Sequence, residues 1–412
     1  MSGRPRTVLV VHPGGEMFGS DRMMLETVTG LTGAGHPVEV LLPEGGPLVA
    51  ELEAVGARVT VAPVLVLRKS LLKPRGWPRL LSLAVRGGVA GWRLLRRHRP
   101  DAVYVSTITL PQWPLLARLA GARAITHVHE AESSAPRVVR TGLYLPHLAA
   151  TGVAVNSEVA RRTLASALPR LARRAEVIHN GVASPDEPPP PRPEIEAELR
   201  VLYVGRLSPR KGPDLVIEAA ARLQEEGIPV RVRILGAVFP GYEWFERELR
   251  AQAEASGVPV DLLGFDPDVW PALAAADVLV VPSRGDESFG NTALEGVLAR
   301  RPVVLSDRPG LLEAASGYAT TRVVPADDAA AIAAALAEVR TRWSELGAEL
   351  DRSREEARDR HAPARYRSRI VAAVTGEPLR PVTADDGDAV NVYYVPIARN
   401  DRGAAETPER ES

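Results

Sequence analysis

The 412-residue chain reads as an α/β protein: two doubly wound, Rossmann-like domains facing across a cleft, followed by C-terminal helices and a tail. Three observations carry that expectation. Short β-branched runs alternate with helical patterns; the alternation stops once, at four consecutive prolines, and then restarts; and strand runs such as TVLVVHP and ADVLVVPS are continuously apolar. Continuous apolar strands separated by helices are those of a parallel sheet covered on both faces.

In the first half the strand-like runs are TVLVVHP (7–13), VEVLLP (38–43), RVTVAP (58–63), AVYVST (102–107), AITHVHE (124–130) and GVAVNS (152–157). Between them, stretches such as SDRMMLETVTGLTGAG space their apolar residues three and four apart, the period of a helix. At EVIHNGVASPDEPPPPRP the pattern stops. The prolines at 188–191 suit neither a helix nor a central strand, so residues 183–198 read as a stiff, extended linker between a domain at 1–182 and one at 199–360. The second domain restarts the alternation with RVLYVGR, PVRVRILG, PVDLLGF, ADVLVVPS, PVVLS and TRVVPA. After about residue 328 the chain is helical. A last helix, 361–377, is expected to pack back toward the first domain, and residues 378–412, polar and broken by Pro and Gly, to form a disordered tail. Within that tail VNVYYVPIA (390–398) is a strand-like exception. Ligands of open parallel sheets bind beyond the carboxyl ends of the strands, which for two facing domains means the cleft.

Composition excludes several function classes. Hydrophobic content of 45% and charged content of 25% are those of an ordinary soluble protein. The absence of cysteine removes disulfides, thiolate metal sites and cysteine nucleophiles, and fits a reducing compartment. The first residues, MSGRPRTVLVVHPGG, hold too short an apolar run for a signal peptide, and no segment reaches 18 apolar residues, so a cytoplasmic location without an integral membrane span is expected.

A net charge of zero hides a division. Residues 1–182 carry 23 Lys and Arg against 12 Asp and Glu, the remainder 28 against 39. The imbalance is sharpest at LVLRKSLLKPRGWPRLLSLAVRGGVAGWRLLRRHRP (65–100), with ten basic residues, no acid, and Trp77 and Trp92 among leucines. Basic residues with tryptophans and an apolar face suit a helix lying on an anionic membrane surface. The alternative is a core-packed helix with a solvated basic face. No nucleic-acid module accompanies the charge, so no nucleic-acid partner is expected.

Two stretches of the second domain carry chemistry. In VLYVGRLSPRKGPDLVIEAAARL a strand, a loop and a helix follow one another, with Gly212 and Pro213 suited to the helix N-cap and first position. The loop holds Arg206, Arg210 and Lys211, and cations beside a helix N-terminus favour a diphosphate; solvated loop charges are the alternative. Only three of the chain's 51 basic residues are lysines, Lys69, Lys73 and Lys211, so a lysine here suggests a need for a compact point charge. In DESFGNTALEGVLA (286–299), Glu287 and Glu295 stand eight positions apart, roughly 80° around a helix, and so do not form a one-face pair. With a turn ending at Gly290 and a helix starting near Thr292, Glu295 would fall in the first helical turn, and Thr292-Ala-Leu-Glu295 also fits a capping box. In the first domain, Gly19-Ser20 at a helix start can present N–H groups to an anion, and Gly14-Gly15 is ordinary turn chemistry. Alternation puts His127 and His129 on one face, either as satisfied core histidines or at the site; no third ligand has metal-binding spacing, so no metal is expected.

Taken together, GRLSPRKG, ESFGNTALE, the NGV that ends the first domain and the GSDRMMLE loop-helix resemble the retaining, GT-B-fold nucleotide-sugar glycosyltransferases of family four, also called group 1. The resemblance covers nearly the whole chain to about residue 375. It implies that Gly205, Arg206 and Lys211 bind the donor diphosphate, that Glu287 contacts the transferred sugar, and that Glu295 holds the ribose hydroxyls. It further implies that Phe289, Gly290, Asn291 and Thr292 meet sugar and phosphate, that Gly19 and Ser20 face the phosphates across the cleft, and that His129, with Glu130 second, meets the sugar or the acceptor hydroxyl. The expected activity is retaining transfer from a nucleoside-diphosphate sugar, without cofactor or metal, to a glycan, glycolipid or small-molecule acceptor in cell-envelope assembly. A transferase acting on a soluble small molecule, a sugar-nucleotide epimerase on the same fold, and a basic membrane-binding module with a vestigial donor site are the rivals.

Overall fold

The computed structural model describes residues 4–17, 19–130, 136–239 and 241–379; the tail from residue 380, with its VNVYYVPIA run, lies outside the described residues. The first domain runs β1 (Val8–Val11), α1 (Gly19–Gly33), β2 (Val38–Leu42), α2 (Leu48–Ala54), β3 (Arg58–Val61), α3 (Trp77–His98) and β4 (Ala102–Val105). It continues through α4 (Trp113–Leu119), β5 (Arg123–Val128), α5 (Arg137–Tyr144), β6 (Gly152–Val155), α6 (Glu158–Ala167), α7 (Pro169–Ala172) and β7 (Ala175–Val177). The second domain opens with β8 (Leu199–Val204), α8 (Pro213–Glu225), β9 (Val230–Leu235), α9 (Glu243–Ala255), β10 (Val260–Gly264), α10 (Trp270–Ala274) and β11 (Val278–Val281). Then follow α11 (Asn291–Leu298), β12 (Val303–Ser306), α12 (Pro309–Ala315), β13 (Thr321–Val324), α13 (Ala329–Thr341), α14 (Gly347–Arg360) and α15 (Pro363–Thr375).

Every strand pairs in parallel, in the orders β3-β2-β1-β4-β5-β6-β7 and β10-β9-β8-β11-β12-β13. The central strands β1, β4, β11 and β12 are buried along their whole length, as their nearly continuous apolar runs VLVV, AVYV, VLVV and VVLS require. In each sheet the order reverses once, between β1 and β4 and between β8 and β11. Those two switch points, with the loops leaving β1 and β8, are where such folds open a ligand crevice. Strand β7 has no counterpart among the six strand runs of the first half. Three residues with Glu176 at their centre, at a sheet edge, leave too short an apolar signal.

The proline-rich segment forms no helix or strand but is strapped to the second domain: Arg192 pairs with Asp277, its carbonyl accepts from Trp343 Nε1 at 2.9 Å, and the Pro189 carbonyl accepts from Arg301 at 3.2 Å. Helix α15 returns to the first domain and lies on α1, where Tyr366, Ile370, Val371 and Val374 join the core with Met23, Met24 and Val28. The Tyr366 hydroxyl meets Thr27 Oγ1 at 2.6 Å, and Arg367 pairs with buried Glu26 at 2.7 Å. Burial pushes the Glu26 carboxyl up, and Arg367 opposes that shift.

Helix α3 inverts the usual arrangement. Its buried residues are Gly87, Gly91 and Leu95, with Gly87 against Leu65 and Gly91 against the Trp113 ring. Five of its large apolar side chains face solvent: Trp77 (60% exposed), Leu81 (67%), Val85 (58%), Val89 (44%) and Trp92 (37%). Steps of four, four, four and three residues set these five in one stripe along the helix. The helix therefore packs on the core through its glycines and Leu95 and exposes an apolar stripe as well as its basic residues. Among the described residues no helix is long and apolar enough to cross a membrane.

Candidate active site

A cavity of about 370 Å³ opens between the two switch points. From the first domain it is lined by the N-terminus of α1 with Gly19, Ser20 and Arg22, by His129 after β5, Asn156 after β6, and Asn180. From the second come the loop after β8 with Gly205, Arg206, Arg210 and Lys211, the loop after β10 with Phe265 and Asp266, and residues 287–292 with Glu295. All twelve site residues expected from sequence line it; Gly14 and Gly15 do not, and Gly15 packs instead against the Gly45-Gly46 backbone.

The loop after β8 is shaped by backbone constraints. Gly212, the N-cap of α8, has φ +69°, a left-handed conformation, and a side chain there would run into the Pro282 carbonyl. A short 3₁₀ turn at Pro209–Lys211 precedes it and sets Arg210 and Lys211 beside the loop after β11. There Glu287 Oε1 takes the Lys211 ammonium at 2.8 Å, Arg210 Nη1 at 3.2 Å and a hydrogen bond from Ser283 Oγ at 2.8 Å. Arg206 lies over the Phe239 ring, 3.5 Å from its centroid; burial and then the Arg210 charge bring its pKa down to about 10.

Helix α11 begins at Asn291, with Gly290 as N-cap and no side-chain cap. The start falls near Thr292 as expected, but the capping box there and the place of Glu295 in the first turn are corrected: Thr292 lies inside the first turn, and Glu295, the fifth helical residue, belongs to the second. Its carboxylate therefore does not close the helix end. It is buried, with Arg22 Nη1 of the opposite domain 3.5 Å from Oε1. Burial pushes the Glu295 carboxyl up, and the Arg22 charge works against that. Gly290 carries no side chain because Leu311 and Ala314 of α12 lie within 3.1 Å of where one would stand.

His127 and His129 do share a face, their rings 3.8 Å apart, but their environments differ. His127 is a core residue, bonded through Nδ1 to the Tyr104 hydroxyl at 2.6 Å. His129 lines the cavity; burial, and then the neighbouring His12, hold it neutral with a pKa of about 3, and its Nε2 finds no hydrogen-bond partner among the described residues. Glu130 is turned to Thr107 and to the His129 backbone N–H, and does not line the cavity. Among the described residues no group of three His, Cys, Asp or Glu is placed to hold a metal ion.

Sequence reasoning missed the contacts that join the domains. Asn156 Nδ2 donates to Ser288 Oγ at 3.2 Å, and Asn180 Nδ2 to Asn291 Oδ1 at 2.8 Å. Glu313 of α12 accepts the Glu158 and Val159 N–H groups at the start of α6, at 2.6 and 3.0 Å, and pairs with His179 at 2.9 Å. A carboxylate at a helix N-terminus is a favourable electrostatic pairing, and this one crosses the cleft.

Comparison with known proteins follows the same division. Residues 19–184 match the family model Glycosyltransferase Family 4, and residues 187–360 the model Glycosyl transferases group 1. The phosphatidyl-myo-inositol mannosyltransferase of Mycobacterium leprae is 30% identical over 267 residues, covering 62% of this chain and 68% of that one. The D-inositol 3-phosphate glycosyltransferase of Geodermatophilus obscurus is 40% identical over 156 residues, and the match spans only 34% of that relative's length. In fold, the crystal structure of Anabaena HepE in complex with UDP and glucose superposes with a TM-score of 0.75 at 19% identity, over 90% of this chain and 100% of that one. Two family models in succession, a relative aligned along two thirds of its length, and a shared two-domain architecture lead to one assignment: the chain belongs to the group 1, family 4 glycosyltransferases of the GT-B fold.

Proposed function

We propose that this glycosyltransferase moves a sugar from a nucleoside-diphosphate sugar to an acceptor hydroxyl with retention of configuration, in cell-envelope polysaccharide or glycolipid assembly at the cytoplasmic face of a membrane. The observation that carries the reading is the meeting, in one cavity between two switch points, of Arg206, Lys211 and the α11 N-terminus with two acids, Glu287 and Glu295. Lys211, Arg206 and the N–H groups at Asn291 and Thr292 neutralise the diphosphate; Glu287 orients the transferred sugar and Glu295 binds the ribose. The bond from the anomeric carbon to the β-phosphate oxygen breaks, the acceptor oxygen bonds to that carbon on the same face, and the acceptor proton passes to the departing phosphate oxygen. Fixed cations around a leaving group are the preorganised electrostatics from which most catalysis of this kind derives. They supply the neutralisation that a metal would otherwise provide, so no metal is required. His129, held neutral, offers a ring nitrogen to a sugar or acceptor hydroxyl.

The exposed α3 stripe, in a segment with no acid, supports a lipid-surface acceptor. Likeness to the inositol-phosphate enzyme of Geodermatophilus obscurus favours a second reading, a soluble polyol phosphate as acceptor. A thermal-shift screen against UDP- and GDP-sugars, followed by NMR of the product formed from the stabilising donor, tests the reaction. The donor's anomeric configuration is expected in the product; an inverted product, or no stabilisation by any nucleotide sugar, contradicts the proposal.

A further inference from the structure

Glu295 stands in the second domain, but the cation beside it belongs to the first. Arg22 leaves α1 one turn after Gly19, its side chain only 12% exposed, and holds Nη1 3.5 Å from Glu295 Oε1. The same guanidinium donates through Nη2 to the Pro267 carbonyl, in the loop after β10 that brings Phe265 and Asp266 to the cavity wall. One side chain thus ties the phosphate-facing helix of the first domain to two walls of the nucleotide half of the cleft. Arg22 is the charged group that acts on Glu295, whereas Lys211 and Arg210 of the same cavity pair with Glu287. A carboxylate that is ionised and held in one orientation is the better acceptor for two neighbouring hydroxyls, and an adjacent fixed guanidinium favours both conditions.

We infer that Arg22 is a positioning residue for donor recognition: reaching across the cleft, it aligns the Glu295 carboxylate to accept both hydroxyls of the donor's ribose. The inference rests on the reading of Glu295 as the ribose ligand. It makes recognition of the nucleotide by the second domain depend on a residue of the first, so the ribose is read fully only when the cleft is closed.

The test is the ratio of affinities for a nucleoside diphosphate and its 2′-deoxy counterpart, measured by calorimetry with UDP against dUDP and GDP against dGDP. The wild-type protein is expected to prefer the ribonucleotide about tenfold or more, the scale of one hydrogen bond to a charged group. Arg22→Met should bring that ratio close to one, and Arg22→Lys, which restores a positive charge, should recover part of it. Arg22→Gln keeps a donor for the Pro267 carbonyl without the charge and should also lose the preference, which serves if the methionine variant does not fold. Should the uncharged variants weaken both nucleotides by the same factor and keep the wild-type ratio, Arg22 merely ties the domains together and the inference is overturned. A wild-type protein that binds ribo- and deoxyribonucleotides equally, or neither, overturns instead the ribose assignment of Glu295 on which it rests.

Discussion

Three donors converge on one oxygen of Glu287, and they do not have equal standing in the sequence. Lys211 and Arg210 both sit in the motif GRLSPRKG, but only Lys211 stands out there, as a rare lysine; Ser283 carries no mark at all. From sequence Arg210 reads as one more cation of the loop, yet its guanidinium bonds both Glu287 and the Asp286 carbonyl. Lys211→Ala is expected to lower kcat/KM at least about a hundredfold, the scale of removing one donor from a charge-stabilising site. With its side chain half exposed and its bond longer, Arg210→Ala should cost roughly tenfold, since exposed charges are screened by water. Steady-state kinetics with the identified donor checks both. Activity unchanged in the two variants would reduce the loop to a solvated basic turn.

At the scale of elements, what was legible depended on where the information lies. Strands such as VLVV at β1 and at β11 announce themselves, because burial on both faces demands an unbroken apolar run. At the start of α11 a Thr-x-x-Glu pattern mimics a capping box, whereas the actual cap is a glycine in close contact with α12. Helix α3 was recognised as basic and amphipathic, but its orientation was hidden: only the packing of Gly87 and Gly91 decides which face is turned out. That orientation carries a prediction. The protein should sediment with phosphatidylglycerol vesicles at low salt and less at high salt, since each engaged Lys or Arg contributes about 1 kcal/mol at an anionic surface. Leu81→Ser with Val85→Ser should weaken the binding without loss of activity on a soluble donor–acceptor pair. No sedimentation at low salt would favour the soluble polyol phosphate as acceptor.

At the scale of the whole molecule, the domains are clasped by contacts that no local pattern encodes. Glu313 on the start of α6, Asn180 on Asn291 and Arg22 beside Glu295 each join residues far apart in the chain, so they emerge only once two folded surfaces meet. At the centre of this interface His361 packs against His179 and the Phe289 ring, and burial, then the His179 charge, holds its pKa at about 4. Its folded pKa lies below the unfolded value of about 6.5, so the unfolded chain binds the proton more readily. The stability from a neutral His361 is complete above pH 6.5 and is lost as pH falls toward 4, by at most about 1.4 kcal/mol per pH unit. Urea midpoints measured from pH 7 to pH 5 should therefore fall less steeply in His361→Gln than in the wild type; identical slopes would mean that His361 is not held neutral. The division of labour between the two acids is central to how the cleft works, and calorimetry of nucleoside diphosphate binding tests it most directly. Glu295→Gln should weaken UDP or GDP at least about tenfold through the lost bonds to the ribose, whereas Glu287→Gln should leave that affinity nearly intact and lose turnover; equal losses of affinity in the two variants would contradict the assignment.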